Sequence, residues 1–102
     1  MKVYSVIWTV KAIVSLQNLH NFIKANSPEK AKKITTELVS LANSLSTLPH
    51  RFPLEPNLID EPVAFRFAIK RYGKLIYTVE GEEVMIVEVF DTRRDPSQMI
   101  WW

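Results

Sequence analysis

No cysteine occurs among the 102 residues, which excludes disulfides, thiolate metal sites and cysteine nucleophiles. The fold must rest on packing alone, as suits a cytoplasmic protein. Glycine is scarce: Gly73 and Gly81 stand alone between apolar runs. A glycine-rich phosphate loop is excluded, and both glycines read as turn residues. The two histidines, His20 and His50, lie far apart in sequence. That spacing supports neither a metal site nor a Ser–His–acid arrangement, and no cofactor is expected. No apolar run approaches the ~20 residues that span a bilayer. The N-terminal MKVYSVIW is too short in its apolar run for a secretory signal and has no small-residue cleavage site. Charge of one sign is not in excess either: 13 Lys and Arg face 11 Asp and Glu, for a net +2. A chain that rides on nucleic-acid phosphates carries more, so direct sequence-specific nucleic-acid binding is not expected.

What is present fits one domain over residues 1–102. A domain of this size buries one core but no deep cavity, so a surface site is expected. The charges are unevenly spread. Residues 1–48 carry six lysines against Glu29 and Glu37, whereas residues 49–102 carry seven Lys or Arg against nine Asp or Glu.

The stretch Val63–Pro96 organises the chain. Its three apolar, β-branched and aromatic runs, separated by Arg71-Tyr72-Gly73 and Glu80-Gly81-Glu82, predict a three-stranded antiparallel meander. In the first run Val63, Phe65, Phe67 and Ile69 alternate with Ala64, Arg66, Ala68 and Lys70. The odd set is expected to face the helices and the even set the other side. Gly73 is expected to supply a positive φ in its turn. The last run, Val84–Phe90, is almost continuously apolar, as suits an interior strand.

Upstream, Val3–Trp8 predicts a first strand. Thr9 stands where a helix N-cap belongs, followed by Ile13, Leu16, Leu19 or His20, and Ile23 at helical spacing, so a helix is predicted from Val10 to Ala25. Ser27-Pro28-Glu29 restarts a helix: a cap, a proline at the first helical position and an acid at the positive end of the dipole. Its apolar seam runs Ala31, Ile34, Leu38, Leu41, Leu45, Leu48. Strand and helical hairpin together occupy residues 1–48, a proline-rich loop 49–62, the meander 63–96 and a tail 97–102. The expected class is α+β in the order β-α-α-β-β-β, with the N-terminal strand and helical hairpin packed on a mainly antiparallel sheet.

The chemistry on offer is cationic. Arg66 and Lys70 share one face of the first meander strand, Lys74 opens the next strand near Lys70, and Arg93 and Arg94 leave the last. Brought onto one face, they would grip an anion or an acidic segment. As isolated strand-end charges they would guard the sheet edges. The terminal Trp101-Trp102 suits packing or a partner contact.

The order of elements, the hairpin joint Asn26-Ser27-Pro28-Glu29-Lys30-Ala31, the strand Tyr72–Val79 and above all Val87-Glu88-Val89-Phe90-Asp91-Thr92-Arg93-Arg94-Asp95-Pro96 resemble the RelE/ParE superfamily of toxins from type II toxin–antitoxin modules. The resemblance covers nearly the whole chain. It implies a cytoplasmic growth inhibitor, of a kind that includes plasmid-stabilisation modules, neutralised by a cognate antitoxin protein. RelE-like members cleave mRNA on the translating ribosome; ParE-like members poison DNA gyrase. Arg66 falls where RelE-like members place a catalytic lysine. Ala68 has lost a second such charge, Lys74 replaces an arginine, and Arg93 or Arg94 matches the arginine after the last strand. Asp91 lies near a customary histidine, and the C-terminal tyrosine has no match. The RelE-like catalytic candidates are thus Arg66, Lys70, Lys74 and Arg93. A target-binding surface would add Asp91 and Arg94. Antitoxin contact falls to Lys24, Lys30, Lys32, Lys33, Trp101 and Trp102. Arginine and lysine are poor bases at neutral pH, and Asp91 or Glu88 has no obvious partner for that work. The resemblance therefore points to the ParE-like branch and not to an enzyme. The alternatives are a ribosome-dependent endoribonuclease and an inactive relative that serves only as a binding module.

Overall fold

The computed structural model describes residues 2–99. Strand β1 (Ser5–Trp8) leads into helix α1 (Val10–Lys24) and helix α2 (Pro28–Ser44). After two short 3-10 turns at Pro49–Arg51 and Pro56–Leu58 come β2 (Arg66–Lys70), β3 (Gly73–Glu80) and β4 (Glu83–Asp91), then a last turn at Pro96–Gln98. The strands form one mixed sheet in the order β1-β4-β3-β2. β1 runs parallel to β4, and the meander β2-β3-β4 is antiparallel. The α+β class and the order β-α-α-β-β-β stand as expected.

Local chemistry sets the helix starts. The Thr9 hydroxyl accepts from the Ala12 amide at 3.1 Å and donates to the Ile86 carbonyl at 2.9 Å, so one residue caps α1 and ties it to β4. Ser27 caps α2 by accepting from the Lys30 amide at 3.2 Å, with Pro28 first in the helix. Two seam positions depart from expectation. Leu48 is 66% exposed, because α2 stops at Ser44 and Leu48 takes a left-handed φ of 48°; Ala42 is buried on the seam instead. In α1, Ala12 is buried while Ile13 is half exposed.

The faces of β2 are the reverse of those expected. Cross-strand partners share a face. Ala68 lies opposite Leu75, which packs with Ile34 and Leu38 of α2, whereas Phe67 lies opposite Ile76 on the other side. The even set therefore faces the helices. The reason is a second apolar cluster on the rear face: Phe65, Ile76 and Phe90 pack there with Leu58 and Met99. The sequence before Val63 thus covers both faces of the sheet. β2 is also shorter than the run Val63–Lys70, because Phe65 pairs with the proline-rich loop. Glu55 donates its amide to the Phe65 carbonyl at 2.8 Å, and Phe67 donates to the Pro53 carbonyl at 3.1 Å. The loop so covers the outer edge of β2, an edge that would otherwise invite pairing with another chain.

Gly73 serves a different purpose from the one expected. Positive φ in its turn falls on Arg71, at 54°, and Gly81 carries φ +58° in the next. At Gly73 the helix comes too close for a side chain: a Cβ would sit 2.6 Å from Leu38 Cδ1. Between β3 and β4, Ile76 pairs with Glu88 but Tyr77 with Ile86, leaving Val87 of β4 as a bulge. The bulge shifts the alternation by one, so Ile86 and Val89 both face the helices.

Candidate functional site

The cationic residues divide among separate places. Arg66, opposite Tyr77 on the helix-facing side of β2, donates from Nη1 to the Phe52 carbonyl at 2.7 Å and the His50 carbonyl at 3.3 Å. The Tyr77 hydroxyl donates to the Pro49 carbonyl at 2.6 Å. Burial pushes the Tyr77 phenol up to about 12, against the pull of the nearby Arg66 and Arg51 cations. Arg66 and Tyr77 together clamp the first turn of the proline-rich loop.

Lys74 lies on the opposite face, across from Ile69. Its Nζ crosses the Phe67 ring at 4.6 Å and meets Glu55 Oε1 at 2.7 Å. Glu55 is fully buried, and its Oε2 accepts from the Asn57 amide at 2.9 Å and from Asn57 Nδ2 at 2.8 Å. Burial pushes this carboxyl up, but the bonds from Lys74 and Asn57 outweigh it and hold the group below its ordinary range. Lys70 is exposed on the helix-facing side, since it pairs with Gly73 while Lys74 pairs with Ile69. The two lysines therefore do not meet. Lys70 adds to the field at Glu37, whose carboxyl is lowered chiefly by its hydrogen bond from Arg71.

Asp91, Arg93 and Arg94 do come together, where β4 ends. Arg93 donates from Nε and Nη2 to the two Asp91 oxygens at 2.9 and 2.8 Å, and its amide donates to Oδ1 at 2.9 Å. The Arg93 side chain's hydrogen bonds, against the opposing effect of burial, hold the Asp91 carboxyl low. The same guanidinium stacks between Tyr72, 4.5 Å away, and Phe22 of α1, 5.1 Å away. Arg94 lies 5.5 Å from the Phe90 ring, and its Nε donates to Gln98 Oε1 at 3.4 Å. Asp91, Arg93 and Arg94 border a cleft of about 460 Å³ that Ser15, Asn18, Leu19 and Phe22 of α1 and Val89 of β4 also line.

Among the described residues, the carboxylates near the end of β4 are already engaged. Asp91 is engaged by Arg93, and Glu88, 2% exposed, accepts the Val89 amide at 3.0 Å. Among the described residues no cluster of three or more His, Asp or Glu could hold a metal. No described helix is long and apolar enough to cross a membrane. Lys24, Lys30, Lys32 and Lys33 are all exposed on the hairpin; Trp101 and Trp102 lie outside the described residues.

Sequence reading missed Glu55, Tyr72 and Phe22 as members of these sites. Phe22 alone carried a signal: an aromatic among Gln17, Asn18, Asn21 and Lys24, on the face of α1 that should be wet.

The family model of the ParE toxin of the type II toxin–antitoxin system parDE matches residues 6–96. No curated protein sequence matches the chain. Among solved structures, a chain of the chromosomal ParDE toxin–antitoxin system from P. aeruginosa superposes with a TM-score of 0.72 at 22% identity, covering 89% of this chain and 98% of that one. At that identity the likeness speaks for the fold, and the family match speaks for kinship. The chain belongs to the ParE toxin family of type II toxin–antitoxin systems.

Proposed function

We propose that this toxin halts growth in the cytoplasm by binding DNA gyrase, and that a cognate antitoxin protein neutralises it. What supports the binding mode over RNA cleavage is the commitment of the cations to internal bonds. Arg66 holds loop carbonyls, Lys74 holds Glu55 and Arg93 holds Asp91. Cleavage through a 2′-hydroxyl needs a base and an acid beside the scissile bond. Arg66 and Lys74 stand on opposite faces of the sheet, and the carboxylates at the end of β4 are engaged. The cleft bordered by Asp91, Arg93 and Arg94 is the surface through which we expect the target to be met. The exposed lysines of the hairpin suit an acidic segment of the antitoxin.

Supercoiling by purified gyrase tests this directly. The full chain is expected to abolish supercoiling of relaxed plasmid, and addition of the antitoxin to restore it. Undiminished supercoiling at saturating protein, with codon-positioned cuts on translated mRNA in primer extension, would assign the ribosome instead.

A further inference from the structure

Leu48 stands in a strained place with little packing in return. It takes a left-handed φ of 48° and is 66% exposed. A left-handed backbone crowds the Cβ of an L-residue, so glycine or asparagine ordinarily stands there after a helix. Leu48 also precedes Pro49, which narrows its backbone further. Strain of this kind persists only where the surroundings fix it, and it gathers at functional sites. Here the surroundings do fix it. Tyr4 donates its amide to the Ser46 carbonyl at 2.8 Å. Arg51 Nη1 donates to the Thr47 and Leu48 carbonyls at 2.5 and 3.1 Å. From the sheet, Tyr77 holds the Pro49 carbonyl, and Arg66 holds those of His50 and Phe52. Residues 46–52 thus form a braced knuckle that presents the Leu48 side chain to solvent.

Beside it lies an open groove of about 300 Å³, lined by Lys2, Tyr4, Leu48, Pro49, His50 and Arg51. No acid lines it. Among the described residues Arg51 has no carboxylate within 4.0 Å, and Lys2 has only the exposed Glu82, at 4.0 Å. We propose that the target protein docks on this knuckle, seating an apolar side chain between Leu48 and Tyr4 and a carboxylate against Lys2 and Arg51. The inference rests on the gyrase reading above and names a second contact for that target. The place is distinct from the cleft at the end of β4: Tyr4 precedes Ser5, which pairs with Glu83 at the start of that strand. Complementary charge would steer an acidic segment to this groove. A loop already braced loses little freedom when a partner binds. A nucleic-acid strand fits less well, because only Lys2 and Arg51 could meet its phosphates, and Glu82 lies beside Lys2.

The test uses the full chain and the supercoiling of relaxed plasmid by purified gyrase. Leu48→Asn removes the apolar group but suits the left-handed backbone. Its denaturation midpoint is expected to be no lower than the parent's. Half inhibition of supercoiling is expected to need about tenfold more protein or beyond, which corresponds to about 1.4 kcal/mol of lost contact. A leucine with only a structural role would not separate the two readouts in this way. Lys2 is exposed, and Lys2→Glu is expected to weaken inhibition several-fold, most at low salt. A Leu48→Asn chain that inhibits at the parent's concentration overturns the inference and leaves the gyrase reading intact. Should that variant fail to fold, Lys2→Glu inhibiting at the parent's concentration overturns it likewise. A dimeric parent that Leu48→Asn renders monomeric in sedimentation would assign the groove to a second copy and also overturn it. A parent chain that leaves supercoiling undiminished removes the gyrase reading and this inference with it.

Discussion

At the scale of single residues, the structure gives familiar side chains unexpected duties. Gly73 is required by the approach of α2, not by its own φ. In Gly73→Ala the new Cβ would meet Leu38 Cδ1 and Cδ2 at 2.6 and 2.8 Å, and Leu38 is itself fully buried and cannot swing into solvent. Overpacking of this kind costs about 1–3 kcal/mol. Denaturant unfolding should show that loss, and Leu38→Ala, which alone should cost about 2–5 kcal/mol, should cost less in the Gly73→Ala background because the clash is gone. Strictly additive effects would contradict the contact. Gly73 was legible as a necessary glycine, but its reason was not. The sequence marks a turn, whereas the distance between α2 and β3 is a property of the packed chain. Arg66 and Lys74 teach the same lesson. Residue type announced two cations on neighbouring strands; only the register shows that they stand on opposite faces.

At the scale of elements, the proline-rich segment is a built part of the sheet. Its first turn is clamped by Arg66 and Tyr77, its middle pairs with β2, and its second turn is pinned through Glu55 to Lys74. The pin has a pH signature. The carboxyl of Glu55 is held below its ordinary value of 4.5, so the folded state binds this proton less readily than the unfolded chain. The pin's stabilisation is then complete above that ordinary value and is lost as pH falls through the lower, folded value. Lys74→Met removes the Lys74 bond and leaves burial opposed only by the two Asn57 bonds. Breaking such a pair should cost about 3 kcal/mol at neutral pH. The pH dependence should also change: with the Glu55 pKa raised relative to the parent, the variant should lose less stability than the parent as pH falls below 4.5. Thermal melts from pH 7 to acid check both the cost and the change in slope; a variant that tracks the parent in slope would show that Glu55 is not the titrating group. The sequence announced irregular backbone here through its four prolines. It did not announce that such backbone would cover an edge strand, since that depends on where β2 ends up in the sheet.

At the scale of the whole molecule, the sheet carries apolar packing on both faces. The helical hairpin covers one, and Leu58 with Met99 closes part of the other. This explains why the reading of β2 came out reversed. The alternation of Phe65, Phe67 and Ile69 does mark an apolar face, but Phe65 packs with Leu58 and Met99 on the side away from the helices. Phe65→Ala tests the point. Phe65 is 5% exposed on the face away from the helices, and its loss should cost about 3 kcal/mol or more, as for a core phenylalanine. Were that face an open cationic surface, the substitution would leave the denaturation midpoint almost unmoved.

The sequence by itself determined the elements, their order and their kinship, because caps, prolines, apolar periods and turn residues act within a few positions of the chain. Thr9, Ser27-Pro28 and Gly81 did locally what their chemistry requires. The tertiary structure decided which cations meet and which are spent. Asp91, Arg93 and Arg94 gather at the end of β4 with Phe22 of α1, while Arg66 and Lys74 are drawn off to hold the loop. Those outcomes turn on strand register, on one bulge at Val87 and on where β1 stops along β4. Each decides which face or which neighbour a side chain meets, and each depends on contacts between residues far apart in the chain.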